Sequence, residues 1–251
     1  MRACMKLPAL AVVIVVAAAG GRRLRHGAHG EPSPRRRRRS GRLLDQVQAA
    51  GRRSGPGASP GRDLLITAAH CINGGKNGGY RQDIVFIPGY RDGREPFGVW
   101  IPAKLLVAPQ WENSSDPDYD VGFIVLKPHD DKNIEEVLGA NQLGINPGYM
   151  NLVRVTGYPA SRDAPVTCVS QTSRQSQSQL RFDCDGFTGG ISGSPWVTHF
   201  DPQTRTGTIV GVLGGYRAGG STEAISYSAY LGPEVEQLYR QAAADEAPAT
   251  G

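Results

Sequence analysis

An all-β fold with a single helix at its C-terminal end is predicted by three observations. From residue 63 onward, short runs rich in β-branched and aromatic residues follow one another at 64–68, 83–88, 98–101, 121–126, 152–157, 166–169, 179–183, 208–213 and 224–228. Gly-Gly, Asn-Gly, Asp-Gly and Pro-Gly pairs lie between them, the dipeptides of tight hairpin loops. No helical pattern intervenes until Pro233, after which Val235, Leu238 and Tyr239 recur on one face through Gln241. Strands at this spacing make a barrel or a sandwich, and the helix has one apolar face to dock against it.

The chain has 251 residues, 39% hydrophobic and 20% charged, enough for one globular domain. Its ends read differently from its middle. Residues 1–21 place Arg2 and Lys6 before an apolar run at 7–19 that closes on small residues, the pattern of a secretory leader. That run is short for a spanning helix, which needs about 20 apolar residues, so export is predicted and stable membrane association is not. Residues 22–61 are Arg, Gly, Pro, Ser and Ala with few large apolar side chains, and are predicted to be disordered. The five arginines at 35–39 could attract nucleic acid, but no aromatic residue interleaves to stack on a base, and a solvated segment is predicted instead. Twelve arginines between 22 and 62 face two acids, so the net charge of +5 conceals an acidic globular part. The change of character near 59–61 is abrupt, and Arg/Gly-rich text of this kind is what a GC-rich gene yields in a wrong reading frame. The globular domain is placed at 62–244 and a disordered tail at 245–251.

Cys4 precedes the leader's apolar run, leaving Cys71, Cys168 and Cys184. Cys168 and Cys184 flank a Ser/Gln-rich stretch that reads as a hairpin tip, and export permits oxidation, so these two are paired. Cys71 is then odd. No cysteine or histidine spacing suggests a metal site, and no cofactor is predicted.

The chemistry lies in three short stretches. Acyl transfer by a serine needs a nucleophile, a base to take its proton, an acid to orient the base, and donors for the oxyanion. Gly189-Gly190-Ile191-Ser192-Gly193-Ser194-Pro195-Trp196 sets a serine among small residues, where a sharp turn can present a hydroxyl and the amides of Gly190 and Ser192 as an oxyanion pair. Leu65-Ile66-Thr67-Ala68-Ala69-His70-Cys71 is an apolar strand running into a histidine. Tyr119-Asp120-Val121-Gly122-Phe123-Ile124 sets an acid directly before an apolar strand, an advantage over the competing Asp116 and Asp118. The order His, Asp, Ser is that of one of the unrelated scaffolds using this triad.

In these motifs the chain resembles the chymotrypsin-like serine endopeptidases of the trypsin superfamily, in their compact bacterial branch, from about residue 62 to 241. The resemblance implies two antiparallel six-stranded β-barrels with the site in the cleft between them, followed by a C-terminal helix. It maps the general base onto His70, the orienting acid onto Asp120 and the nucleophile onto Ser192. A secreted monomer acting on protein or peptide substrates is implied. The substrate pocket would be walled by Asp185, Gly186, Phe187 and Thr188 before the nucleophile and by Val212, Leu213, Gly214 and Gly215 on the strand after it. Gly186 stands where trypsins carry a selective acid, and Leu213 where glutamate-specific relatives carry a histidine, so a mild apolar preference is expected.

Three departures accompany the likeness. Ile191 replaces the acid that receives the new N-terminus in activated animal members. The usual partner of Cys71 is absent. Two strands expected before His70 fall in the Arg-rich segment, so the first barrel is predicted to be incomplete and to expose strand edges. A protease-fold binding protein without turnover is the rival reading.

Overall fold

The computed structural model describes residues 48–51, 63–220 and 222–245; the leader, most of the Arg-rich segment and residues 246–251 lie outside the described residues. A short strand β1 (Gln48–Gly51) precedes β2 (Leu64–Thr67), the single helical turn α1 (Ala69–Ile72), β3 (Pro102–Val107), α2 (Pro109–Ser114) and β4 (Gly122–Leu126). After α3 (Ile134–Leu138) come β5 (Asn141–Leu143), β6 (Leu152–Gly157), β7 (Val166–Arg174), β8 (Gln179–Asp183), β9 (Pro195–Asp201), β10 (Thr206–Val212), β11 (Ile225–Ala229) and α4 (Pro233–Ala244). The strands bond edge to edge in the order β11-β8-β7-β6-β9-β10-β5-β1-β2-β4-β3. The first four therefore form one half of the molecule and the other seven the second.

The strands carrying the site are apolar on both faces because both faces are covered. Successive side chains of a strand point to opposite sides. Leu65, Ile124 and Leu126 accordingly join one core with Ile72, Phe86, Trp100 and Trp111. Leu64, Ile66, Phe123 and Val125 join another with Val235, Leu238 and Tyr239 of α4. Pro233 opens α4, where its missing N–H costs nothing, and the Tyr239 ring packs 5.8 Å from that of Phe123. A third core, around Val153, Leu180, Phe182 and Trp196, fills the second half.

Several expectations need correction. The runs at 83–88 and 98–101 do not form strands. They meet only as a bridge, with Phe86 and Trp100 exchanging backbone hydrogen bonds of 2.9 and 2.7 Å. Left-handed Gly89, Gly93 and Gly98 break the extended backbone around them. Conversely, β3 went unread: Pro102 and Lys104 obscure its alternation, and it is an edge strand with a register shift between those two residues. β9 also went unread, because it starts at Pro195, at the end of the nucleophile motif, and runs on to Asp201. Within the segment expected to be disordered, β1 pairs antiparallel with β2 through Gln48 and Ala49, and parallel with β5 through Ala50 and Gly51. Backbone pairing needs no apolar pattern, which is why composition concealed it. β1 covers an edge of β2 that was expected to be open.

The two halves and the C-terminal helix agree with the architecture implied above, but β5 pairs parallel with both β1 and β10, and among the described residues neither half closes into a six-stranded ring. Asp245, assigned to the disordered tail, is instead held. Its N–H reaches Gln241 and Ala242 and its carboxylate pairs with Lys104 at 2.6 Å.

Candidate active site

Two backbone turns bring His70 and Asp120 together. After β2 the chain makes the single turn α1, which small, fully buried Ala68 and Ala69 allow to pass close to its neighbours. Asp120 ends a 3-10 turn, Pro117–Tyr119, immediately before β4. β2 and β4 are paired antiparallel, with Thr67 opposite Gly122, so the turn after β2, which carries His70, lies beside the turn before β4, which carries Asp120. His70 Nδ1 lies 2.7 Å from Asp120 Oδ2, and the His70 backbone N–H donates to Oδ1 at 2.9 Å.

Asp120 is 1% exposed. Its buried carboxylate is accommodated because it also accepts the Gly215 N–H at 2.7 Å. An ionised carboxylate only accepts, so Nδ1 is the donor across this contact and Nε2 is the basic nitrogen of the neutral ring. The imidazole is partly exposed and lies beside Trp111, with ring centroids 6.4 Å apart.

Ser192 stands on the turn that leads into β9. Gly190 and Gly193 adopt left-handed backbone there, and Ile191 is buried in the third core. The Ser194 hydroxyl and N–H both donate to the Ile191 carbonyl, which closes the turn. A branched side chain at 191 thus anchors the turn by packing. The turn is fastened to the end of β10, since Gly193 N–H donates to Leu213 at 2.7 Å and Leu213 N–H to Ser194 at 2.8 Å. The next residue, Gly214, lies against Asp120, where a Cβ would come within 2.9 Å of Oδ2. The half-buried serine and the His70/Asp120 pair are therefore bound to one short segment of chain.

The Gly189 carbonyl accepts from Ala160 N–H at 2.8 Å. Across a planar trans peptide this turns the Gly190 N–H to the opposite side, away from Ala160. At φ +100°, with Ala160 N 2.6 Å from where a Cβ would be, only glycine fits at 190.

The residues assigned to the substrate pocket are divided. Asp185, Gly186 and Phe187 line a cavity of about 510 Å³, together with Arg181, Ala224 and the Cys168–Cys184 disulfide. Val212, Leu213, Gly214 and Gly215 are buried, and Leu213 shares a core with Phe187. Thr188 keeps a buried hydroxyl with no hydrogen-bond partner among the described residues. Cys71 is buried in the first core, outside the disulfide. Asp118 and Asp116 do not face His70. Asp116 accepts the Asp118 N–H, and Asp118 contacts Gln179 and Ser178 of the second half. Gln179 went unread as a site residue, since one glutamine at the start of a strand carries no local signal.

No family model matches this sequence, and no curated protein does. Solved structures do. The protease Anisep from Arthrobacter nicotinovorans is 20% identical, over 94% of this chain and 95% of that one, with a TM-score of 0.71. A thermostable serine protease, AL20, from an extremophilic microorganism is 21% identical over 94% and 97%, with a TM-score of 0.72. A Glu endopeptidase is 19% identical over 79% and 91%, with a TM-score of 0.61. At such identities the likeness is one of fold: the chain has the chymotrypsin-like β fold.

Proposed function

We propose that this protein is a secreted, monomeric serine endopeptidase that cleaves peptide bonds through an acyl-enzyme on Ser192. The observation that carries the reading is the buried Asp120 carboxylate 2.7 Å from His70 Nδ1, on the fold of known serine proteases. In this reading Ser192 Oγ attacks the substrate carbonyl while His70 Nε2 takes its proton. The oxyanion is held by the N–H groups of Gly190 and Ser192. His70 then gives the proton to the leaving amine as the C–N bond breaks, and water repeats the sequence to release the acid. Asp120 keeps the ring in the right tautomer and offsets the charge of the imidazolium.

One structural neighbour is a Glu endopeptidase; here Leu213 is buried beside Phe187, and Arg181 in the cavity lining is paired with Asp183. A mild preference for apolar side chains is the expected specificity, to be read from a peptide library. Strong Arg/Lys selectivity abolished in Asp185→Ala would overturn it.

The test of the main reading is labelling by a fluorophosphonate, with peptide and ester hydrolysis measured alongside. Ser192 should carry the label, and Ser192→Ala and His70→Ala should abolish turnover. Unchanged turnover in Ser192→Ala would sink the proposal. Peptide binding with neither labelling nor turnover would identify a protease-fold binding protein.

A further inference from the structure

Gln179 opens β8 in the second half, yet its side chain reaches the turn that carries Asp120 in the first. It is 3% exposed. Nε2 spends both its hydrogens on that turn, donating to the Pro117 carbonyl at 2.9 Å and to Asp118 Oδ1 at 2.7 Å. Oε1 accepts the Tyr216 N–H at 3.1 Å. The orientation of the amide is unambiguous, because the flipped form would set oxygen against oxygen and N–H against N–H. Ser178 completes the arrangement by donating to Asp118 Oδ2 at 2.6 Å. Both oxygens of Asp118 are therefore engaged by the second half.

The residue before Tyr216 is Gly215, whose N–H donates to Asp120. The Gly215 backbone fits tightly against the amide, since a Cβ there would stand 2.4 Å from Gln179 Oε1. One buried amide thus holds, on one side, the turn ending in Asp120 and, on the other, the segment that donates to Asp120.

We propose that Gln179 is a positioning residue: it pins the Pro117–Tyr119 turn to the Gly215–Tyr216 segment and so fixes the Asp120 carboxylate against His70. The proposal deepens the peptidase reading and rests on it for its kinetic arm. It also assigns a task to each neighbouring acid. Asp116 closes the turn, Asp118 is the anchor point of the pin, and Asp120 faces the imidazole. Gln179 itself acts only through Asp120.

The experiment compares the wild type with Gln179→Met, which keeps the volume and loses the amide, with Asp118→Asn, and with the double variant. Ester turnover is expressed per Ser192 that a fluorophosphonate can titrate. The His70 Nδ1–H proton, which a short bond to a carboxylate moves far downfield, is followed by NMR. Gln179→Met should lower kcat about 10- to 100-fold, the scale of a misplaced catalytic group, and should broaden or move the Nδ1–H line. Asp118→Asn should do less, and the double variant less than the product of the two single effects, because the two residues share one bond. Lower melting temperature with unchanged kcat per site and an unchanged Nδ1–H line would reduce Gln179 to a packing residue and overturn the proposal. Fully additive effects would do the same. Should Gln179→Met not fold, the milder Asp118→Asn decides on the same two readouts. A wild type with neither label nor turnover would defeat the peptidase reading, while the Nδ1–H line would still report whether the pin holds Asp120.

Discussion

Asp120 accepts three hydrogen bonds from groups fixed by the fold, and no amide can do the same. Asp120→Asn must turn an NH2 toward one of these donors or force the ring into the wrong tautomer. Turnover should fall about 10⁴-fold, with the titratable Ser192 retained. Loss of less than tenfold would mean that His70 is oriented by other contacts. Two tyrosines make a prediction in pH. Burial of Tyr158, whose hydroxyl donates to the Tyr90 carbonyl, raises its pKa, and burial together with Glu112 pushes Tyr80 up to about 12. In the unfolded chain both ionise near pH 10. Above that value the unfolded state loses protons that the folded state keeps, so stability is full below about pH 10 and falls as pH rises toward 12. Denaturant midpoints between pH 8 and 11.5 should show this decline, and Tyr158→Phe should flatten it. A slope equal to that of the wild type would exclude Tyr158 as a cause.

At the scale of elements, α4 and the disulfide carry separate loads. Leu238 is 7% exposed and packs with Phe123 and Val125 behind the strands that carry the site. Leu238→Ala should cost about 2–5 kcal/mol. Among the described residues Arg240 pairs only with Glu236, at the surface, and Arg240→Ala should change stability by under about 1 kcal/mol. Comparable costs in chemical denaturation would mean that α4 is held by its charges. Cys168 and Cys184 join β7 to the end of β8 across a sequence separation of 16. Cys168→Ser with Cys184→Ser should lower stability by about 3 kcal/mol, mainly through the unfolded state.

For the molecule as a whole, the joint between the halves is the weak point. β1 lies between β2 and β5 and bonds to both. Removing residues 1–62 would leave two strand edges with unpaired backbone groups, which invite association between chains. The shortened protein should melt lower and aggregate more readily than the full chain, although it keeps His70, Asp120 and Ser192. Equal melting and equal solubility would show that β1 contributes nothing to the joint.

The sequence by itself determined the β class, the C-terminal helix and the Cys168–Cys184 pairing, and offered His70, Asp120 and Ser192 as candidate site residues. Each rests on a local signal: alternation, helical spacing, or small residues around a reactive one. Its place directly before an apolar strand already favoured Asp120 over Asp118; only the tertiary structure decided what each acid packs against, Asp120 facing His70 and Asp118 facing Gln179 and Ser178. It also decided that 83–88 and 98–101 meet as a bridge, that Gln48–Gly51 is a strand, and that Gln179 spans the halves. Backbone pairing between distant segments and a side-chain amide reaching across a cleft leave no periodicity in the chain. They depend on which surfaces come together, and that is settled by packing.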